Sequence, residues 1–200
     1  MVSKKQHYEE HKQFWMLNDP LSLNVNLVPA FKRRLEWILK HVEADTLDIG
    51  CNDGGFTVEI AKKLHKSETP SKIVVGIDIL ELNIKRAWDN VPEEADWADN
   101  ISFDVGDAED LDFKDGSFDT VVMTETLEHT RYPRRALEEI HRVLTKEGKL
   151  LLSVPNGISR EPTHYNQIDL GGIYKLLEKL FTVVELTSDE ASIYLIGRKE

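Results

Sequence analysis

Four residues in the second half of the chain, Glu125, Glu128, His129 and His164, carry side chains suited to proton transfer or cation binding. Glu125, Glu128 and His129 stand at offsets of three and four, so on helical backbone their side chains share one face. Two carboxylates and two imidazoles form a donor set for a divalent cation. An imidazole titrates near neutral pH, so His129 or His164 could also take a proton from a hydroxyl or an acid. Blander readings stay open: His129 capping a helix start, and His164, Tyr165 and Asn166 forming an ordinary polar loop.

A second constellation lies upstream. Leu47-Asp48-Ile49-Gly50-Cys51-Asn52-Asp53-Gly54-Gly55-Phe56-Thr57 leaves an apolar run through a glycine-bearing bend and enters a helical pattern. Glycine lets backbone approach a ligand closely, and the helix start beyond it offers unpaired N–H groups. Asn52 stands where the dinucleotide fingerprint requires its second glycine, so a pyrophosphate is not the indicated guest. Asp78 closes the run Val75-Gly76-Ile77-Asp78, 24 positions after Gly54. That is near the roughly 20-residue offset at which an acid receives ribose hydroxyls. In Gly106-Asp107-Ala108, Asp107 can accept from an exocyclic amine of adenine while Ala108 lies against the ring. Cys51 reads as a small residue filling a crowded turn, with no charged or metal-binding neighbour in sequence to activate it.

These residues need strands that end together, and the hydrophobic pattern supplies them. Apolar runs at Thr46 to Gly50, Ile73 to Asp78, Ile101 to Val105 and Asp119 to Thr124 read as strands. Helices are expected at Pro29 to Val42, Phe56 to His65, Glu81 to Trp88 and Arg134 to Leu144. A fifth strand follows at Lys149 to Val154, then a helix from Leu170 to Leu180. Thr182 to Leu186 and Ile193 to Arg198 read as a hairpin turning at Ser188-Asp189-Glu190. The alternation predicts a parallel sheet, and Trp88 and Trp97 are assigned to packing. Strand ends in such sheets define the ligand crevice, so the Glu and His set would face the same place as the glycine bend. The aromatic-rich segment His7 to Asn26, with Tyr8, His11, Phe14 and Trp15, reads as a short helix and loop. It either covers the site or simply packs on the domain.

Bulk properties bound these readings. The 200 residues are 40% hydrophobic and 30% charged, which fits one soluble domain without room for a second. A net charge of −11, interleaved along the chain, disfavours generic nucleic-acid binding. The start Met1 to Lys5 is polar, and no run approaches the roughly 20 apolar residues that span a bilayer. The expectation is a cytoplasmic protein without membrane contact. One cysteine excludes an intramolecular disulfide and a Cys-cluster zinc site.

Taken in order, the motifs resemble those of class I S-adenosylmethionine-dependent methyltransferases over roughly residues 44–198. Asp48 to Gly54 is similar to that family's first motif, Asp78 to its ribose-binding acid, and Gly106-Asp107-Ala108 to its adenine segment. Val143 to Lys149 is similar to the loop before strand five, with Glu147 in place of the usual second glycine. The resemblance implies a single Rossmann-like α/β domain: a three-layer α/β/α sandwich whose mostly parallel seven-stranded sheet ends in an antiparallel hairpin. Residues 44–200 would form it, preceded by an N-terminal helical segment and active-site lid at 1–43. It further implies S-adenosylmethionine as cofactor, held by Asp48, Gly50, Cys51, Asn52, Gly54, Phe56, Asp78, Ile79, Asp107, Ala108 and Thr124. The Glu-x-x-Glu-His motif with a distant His is also similar to small-RNA 3′-end methyltransferases and to ubiquinone-pathway O-methyltransferases. There a metal helps bind or deprotonate a hydroxyl, which implies Glu125, Glu128, His129 and His164 as ligands of a divalent cation.

The expected activity is methyl transfer to a small molecule, at oxygen, with His129, His164 and Glu125 catalytic. Two alternatives remain from the sequence: a metal-assisted RNA 2′-O-methyltransferase, and a cofactor-binding partner protein without catalysis. The acceptor and the oligomeric state are not legible in it.

Overall fold

The computed structural model describes residues 29–67, 72–157 and 163–199. In chain order it has α1 (Pro29–His41), β1 (Thr46–Ile49), α2 (Gly55–His65), β2 (Val74–Asp78), α3 (Glu81–Asp89) and β3 (Ile101–Val105). Then come β4 (Phe118–Thr124), α4 (Pro133–Val143), β5 (Leu144–Pro155), α5 (Leu170–Leu177), β6 (Phe181–Ser188) and β7 (Ser192–Lys199). The expected helix and loop at His7 to Asn26 fall outside the described residues.

All seven strands join one sheet in the order β3-β2-β1-β4-β5-β7-β6. The first five run parallel, and β7 is antiparallel to both β5 and β6. Parallel neighbours need long crossovers, which α2, α3 and α4 supply. The chain winds outward from β1 to β3 and returns beside β1 as β4. The β1–β4 boundary is therefore the switch point, outside whose strand ends an open α/β sheet binds its ligand.

Each sheet face has its own core. Leu47, Ile49, Val121 and Met123 pack on one side with Leu137, Ile140 and Val143 of α4 and Ile173 of α5. Val122 and Leu151 turn to the other, against Ile38 of α1 and Ile60, Ala61 and Leu64 of α2. Val121, Val122 and Met123 alternate between the faces, as the two-residue strand period requires. Every residue of β1 is buried, as expected of a central strand covered on both faces. The three layers and the terminal hairpin thus match the expectation. Among the described residues, no helix is long and apolar enough to cross a membrane.

Three local differences have physical causes. β5 begins at Leu144, five residues before the expected start, and bends at Glu147, whose φ of 67° occupies a glycine-favouring conformation. α5 stops at Leu177, where Lys179 turns left-handed (φ 65°) and the Leu180 N–H bonds back to Leu177 O. Trp97 is buried as expected, but Trp88 packs only its edge on Phe103 and stays 45% exposed. The hairpin turn is closed by Asp189, whose carboxylate accepts from the Ala191 and Ser192 N–H groups at 2.7 and 2.8 Å.

Arg142, near the end of α4, fixes the loop that carries Asp107. Its guanidinium donates to Leu111 O at 2.8 Å and Phe113 O at 2.6 Å, and to Glu139 at 2.7 Å and Asp115 at 3.0 Å. Arg142→Met removes these bonds while keeping most of the apolar stem. The expected loss is about 2 kcal/mol of unfolding free energy with an unchanged urea m-value, read from equilibrium denaturation.

Candidate active site

The bend after β1 is fastened to β2 by backbone. Gly50 and Cys51 N–H both donate to Ile77 O, at 2.8 and 2.9 Å. Gly50 has φ 74°, and a Cβ there would fall 2.3 Å from Thr126 Oγ1, so the position excludes other residues on two grounds. Asn52, also left-handed at φ 51°, donates its N–H to Asp78 Oδ2 at 3.0 Å. Asp78 Oδ1 accepts from Leu80 N–H at 2.9 Å and from Asn83 Nδ2 at 3.1 Å. Burial pushes the Asp78 carboxyl above its ordinary range, and those three donors oppose the rise. The loop after β3 joins here too, because Gly106 N–H donates to Asp78 O at 3.0 Å. Next to it, Asp107 Oδ1 accepts from Glu109 N–H at 2.9 Å, and Ala108 is half-buried against the core.

The remaining expected cofactor residues spread around this bend. Ile79 directly follows Asp78 and is half-buried, and Phe56, in the first turn of α2, meets Phe31 of α1 edge-on at 6.2 Å. Thr124 ends β4, its carbonyl accepting from the Thr126 hydroxyl at 3.0 Å. Gly54 caps α2 with φ 78°. Cys51 is buried, which pushes its thiol pKa well up and leaves it unreactive. Asp48 lies behind the bend, fully buried, and accepts from the Thr57 hydroxyl at 2.6 Å.

On the other side of the switch point, residues after β4 do not continue as a helix. Glu125 is left-handed (φ 49°), and Leu127–His129 forms one 3-10 turn. Loop 163–166 docks on that turn, with Asn166 N–H on Glu128 O at 3.1 Å and Asn166 Nδ2 on Thr130 O at 2.6 Å. The His129 and His164 rings consequently meet edge to face, 4.6 Å between centroids. His129 Nδ1 lies 3.1 Å from Thr163 O, a geometry in which Nδ1 keeps its proton and Nε2 carries the lone pair. Ligand atoms of Glu128, His129 and His164 fall within 4.8 Å of one another.

Glu125 takes no part in that cluster. Its Oε1 accepts from the Ser153 hydroxyl at 2.8 Å, and its Oε2 faces Arg34 Nη2 at 3.5 Å. Three of the four residues grouped by spacing are therefore brought together, and the fourth is bound elsewhere, because the offsets fall on a turn instead of a helix. Arg34, Asn83 and Ser153 were not singled out in the sequence, and Asn166 was named there only as part of a polar loop. Asn166, two residues from His164, offered the nearest signal, while no spacing pattern links Arg34 of α1 to Glu125.

An open α/β sheet with carboxylates at the tips of β2 and β3 and a glycine bend after β1 defines a nucleoside-binding fold of the Rossmann type. The chain belongs to the methyltransferase domain family, whose model matches residues 47–152, just over half of it. It is 35% identical over 106 residues to norajmaline N-methyltransferase of Rauvolfia serpentina, covering 53% of this chain and 34% of that protein. With demethylmenaquinone methyltransferase of Lactococcus lactis it shares 32% over 134 residues, 64% of this chain and 51% of the relative. The chain thus spans about half or less of the length of these two curated relatives. Among solved structures, an S-adenosylmethionine-dependent methyltransferase from Aquifex aeolicus superposes with TM-score 0.70 at 18% identity, covering 83% of this chain and 89% of that one. The 4+2 cyclase SpnF superposes with TM-score 0.72 at 17% identity, covering 85% and 82%.

The family implies S-adenosylmethionine, and the residues present fit it. Asp78 has used three of about four acceptor positions, leaving capacity for a ribose hydroxyl. Asn52 Oδ1 is buried beside it with no hydrogen-bond partner among the described residues, an acceptor that a bound donor would satisfy.

Burial is also the main reason the Asp48 carboxyl is raised from 3.8 to about 6; Thr57 opposes the rise and Asp78 adds to it. The folded protein therefore resists ionisation that the unfolded chain permits. This penalty is absent below about pH 4, grows between about pH 4 and 6 and is complete above 6, reaching about 3 kcal/mol. Asp48→Asn retains an acceptor for Thr57 and removes the charge. Its urea midpoint should exceed that of the wild type at pH 7.5, and the two should converge as pH falls to 4.

Proposed function

We propose that the protein is an S-adenosylmethionine-dependent methyltransferase of the cytoplasm that modifies a small-molecule acceptor at oxygen. The observation carrying the reading is the pairing of a nucleoside cradle on Asp78 with a histidine turn across the β1–β4 switch point. Bound S-adenosylmethionine supplies an electrophilic methyl group. Asp78 would hold the ribose, Asp107 the adenine, and the backbone at Gly50 and Cys51 the methionine part. Asp48 supports the bend from behind through Thr57. Ile79, Ala108 and Phe56 line the cradle with apolar surface, and Thr124, Asn52 and Gly54 shape its floor.

What remains for the protein is alignment, exclusion of water and custody of one proton. His129 is the base in this reading: Nδ1–H on Thr163 O fixes the tautomer, and the lone pair on Nε2 takes the hydroxyl proton. His164 orients it ring to ring. Residues 1–43 are proposed as an N-terminal addition to a catalytic domain at 44–200, with α1 as its described part. The small-molecule acceptors in the relatives' names support the acceptor class, and the acidic charge accords with it. Asp78→Ala should weaken binding of the demethylated product, S-adenosylhomocysteine, at least about tenfold by calorimetry, the scale of losing a charge-assisted hydrogen bond. His129→Ala and His164→Ala should keep that affinity yet lose transfer of labelled methyl to an extract of small molecules. Wild-type transfer in both variants would refute the assigned roles.

A second reading is favoured by the cluster of Glu128, His129 and His164, a carboxylate and two imidazoles within 4.8 Å. Such a set suits zinc or another transition-metal ion, which would acidify a bound hydroxyl. Metal-assisted methylation of an RNA 2′-hydroxyl is the variant of this reading that the chain's net charge opposes. Manganese or zinc titrated into the chelated protein should bind with one-to-one stoichiometry and lose affinity in Glu128→Gln. Transfer that persists undiminished in EDTA would leave the histidine mechanism alone standing.

A further inference from the structure

Glu125 was expected to serve in catalysis, but its surroundings assign it different work. We propose that buried Arg34 and half-buried Glu125 form an ion-pair lock that sets the Leu127–His129 turn, so that Arg34 acts as a positioning residue for His129. The functional part of this proposal rests on His129 being the base.

Glu125 is a non-glycine residue at φ 49°, a conformation that persists only where neighbours over-determine it. Its N–H donates to Ser153 O at 3.0 Å, and its Oε1 accepts from the Ser153 hydroxyl at 2.8 Å. Its Oε2 faces the Arg34 guanidinium, 3.5 Å from Nη2. Arg34 is only 7% exposed, and its Nε has no hydrogen-bond partner among the described residues. Nη2 also reaches Ser192 Oγ at 3.5 Å, and the Phe31 ring lies 5.2 Å from the guanidinium carbon. A guanidinium buried this far is unfavourable unless an opposite charge accompanies it, and Glu125 supplies that charge.

The lock reaches the histidine through short covalent and hydrogen-bonded steps. Thr126 follows Glu125, its hydroxyl on Thr124 O and its side chain filling the space beside Gly50. His129 N–H then closes the turn on Thr126 O at 3.0 Å. If the Glu125 peptide leaves its left-handed conformation, Thr126 and the His129 ring move with it. With both oxygens engaged, Glu125 is spent on holding the turn and is neither base nor metal ligand. Arg34 lies on α1, which packs against the terminal hairpin through Trp37 on Tyr194 of β7 and Arg33 on Asp189 of the turn. Seating of α1 on the hairpin thereby decides the geometry of the acceptor side.

The test compares full-length Arg34→Met, Arg34→Lys, Glu125→Gln and the Arg34→Met/Glu125→Gln double variant. Three readouts apply: amide exchange over residues 124–130, the NMR titration of the His129 ring, and calorimetry with S-adenosylhomocysteine. Arg34→Met and Glu125→Gln should each speed exchange in that segment at least about tenfold and displace the His129 titration. The double variant should be no worse than either single one, as for two residues acting as one unit, and Arg34→Lys should recover most of the loss. Affinity for S-adenosylhomocysteine should fall by less than the roughly tenfold expected of Asp78→Ala, because the lock reaches the cradle through Thr126 beside Gly50 and not through Asp78. Unchanged exchange and titration in Arg34→Met, or single effects that multiply in the double variant, would overturn the lock. Should Arg34→Met fail to fold, Glu125→Gln and Ser153→Ala carry the same comparison. Wild-type protein that does not bind S-adenosylhomocysteine would defeat the methyltransferase reading, while the exchange data would still decide the lock.

Discussion

Asp78 accepts hydrogen bonds from Asn52, Leu80 and Asn83, donors that belong to the bend after β1, the N-cap of α3 and its first turn. Its carbonyl also receives Gly106, at the head of the loop that carries Asp107. A buried charge is tolerated only with such compensation, so the carboxylate dictates where its donors sit as much as they stabilise it. The shape of the nucleoside side of the crevice follows from that arrangement. With Asn52 left-handed and Gly50 pressed against Thr126, the bend has little freedom to settle differently.

The site holds several features that oppose folding. Asp48 is an acid sealed in the centre of the sheet beneath the bend, and Asn52 and Glu125 occupy backbone conformations that favour glycine. Energy of this kind is retained in folded proteins where geometry serves binding or reaction, and the two apolar cores on either face of the sheet supply the stability that carries it. The contact of Gly50 with Thr126 makes the two halves of the crevice neighbours. The glycine bend and the histidine turn are therefore positioned by the same few residues.

The fold alone does not name a reaction. One of its structural neighbours is a methyltransferase and another a cyclase, each under 25% identical to this chain. Chemistry is decided by the side chains at the strand ends. Here those are carboxylates on β2 and β3 and a cluster of Glu128, His129 and His164 beyond β4.

Much of this was legible in the sequence. Strands and helices announced themselves by their hydrophobic periods, and the glycine bend, Asp78 and Asp107 by their order at successive strand ends. Such features are local: they depend on residue type and spacing along one segment, so a single chain suffices to read them. The partners of each charge depended on folding. Spacing grouped Glu125 with Glu128 and His129 as if on a helix, whereas the chain forms a 3-10 turn there and sends Glu125 toward Ser153 and Arg34. Arg34 lies 91 positions from Glu125 (125 minus 34) and His164 lies 35 from His129 (164 minus 129). No periodicity links such pairs; they meet because α1 packs on β7 and Asn166 pins one loop to another. The sequence by itself determined the elements and which residues stand at the ends of the parallel strands, since each of these is written in one contiguous segment. Tertiary packing alone decided which carboxylate lies beside the histidines and which pairs with a buried cation, because a charge taken out of water must find its counterpart wherever the fold has placed one.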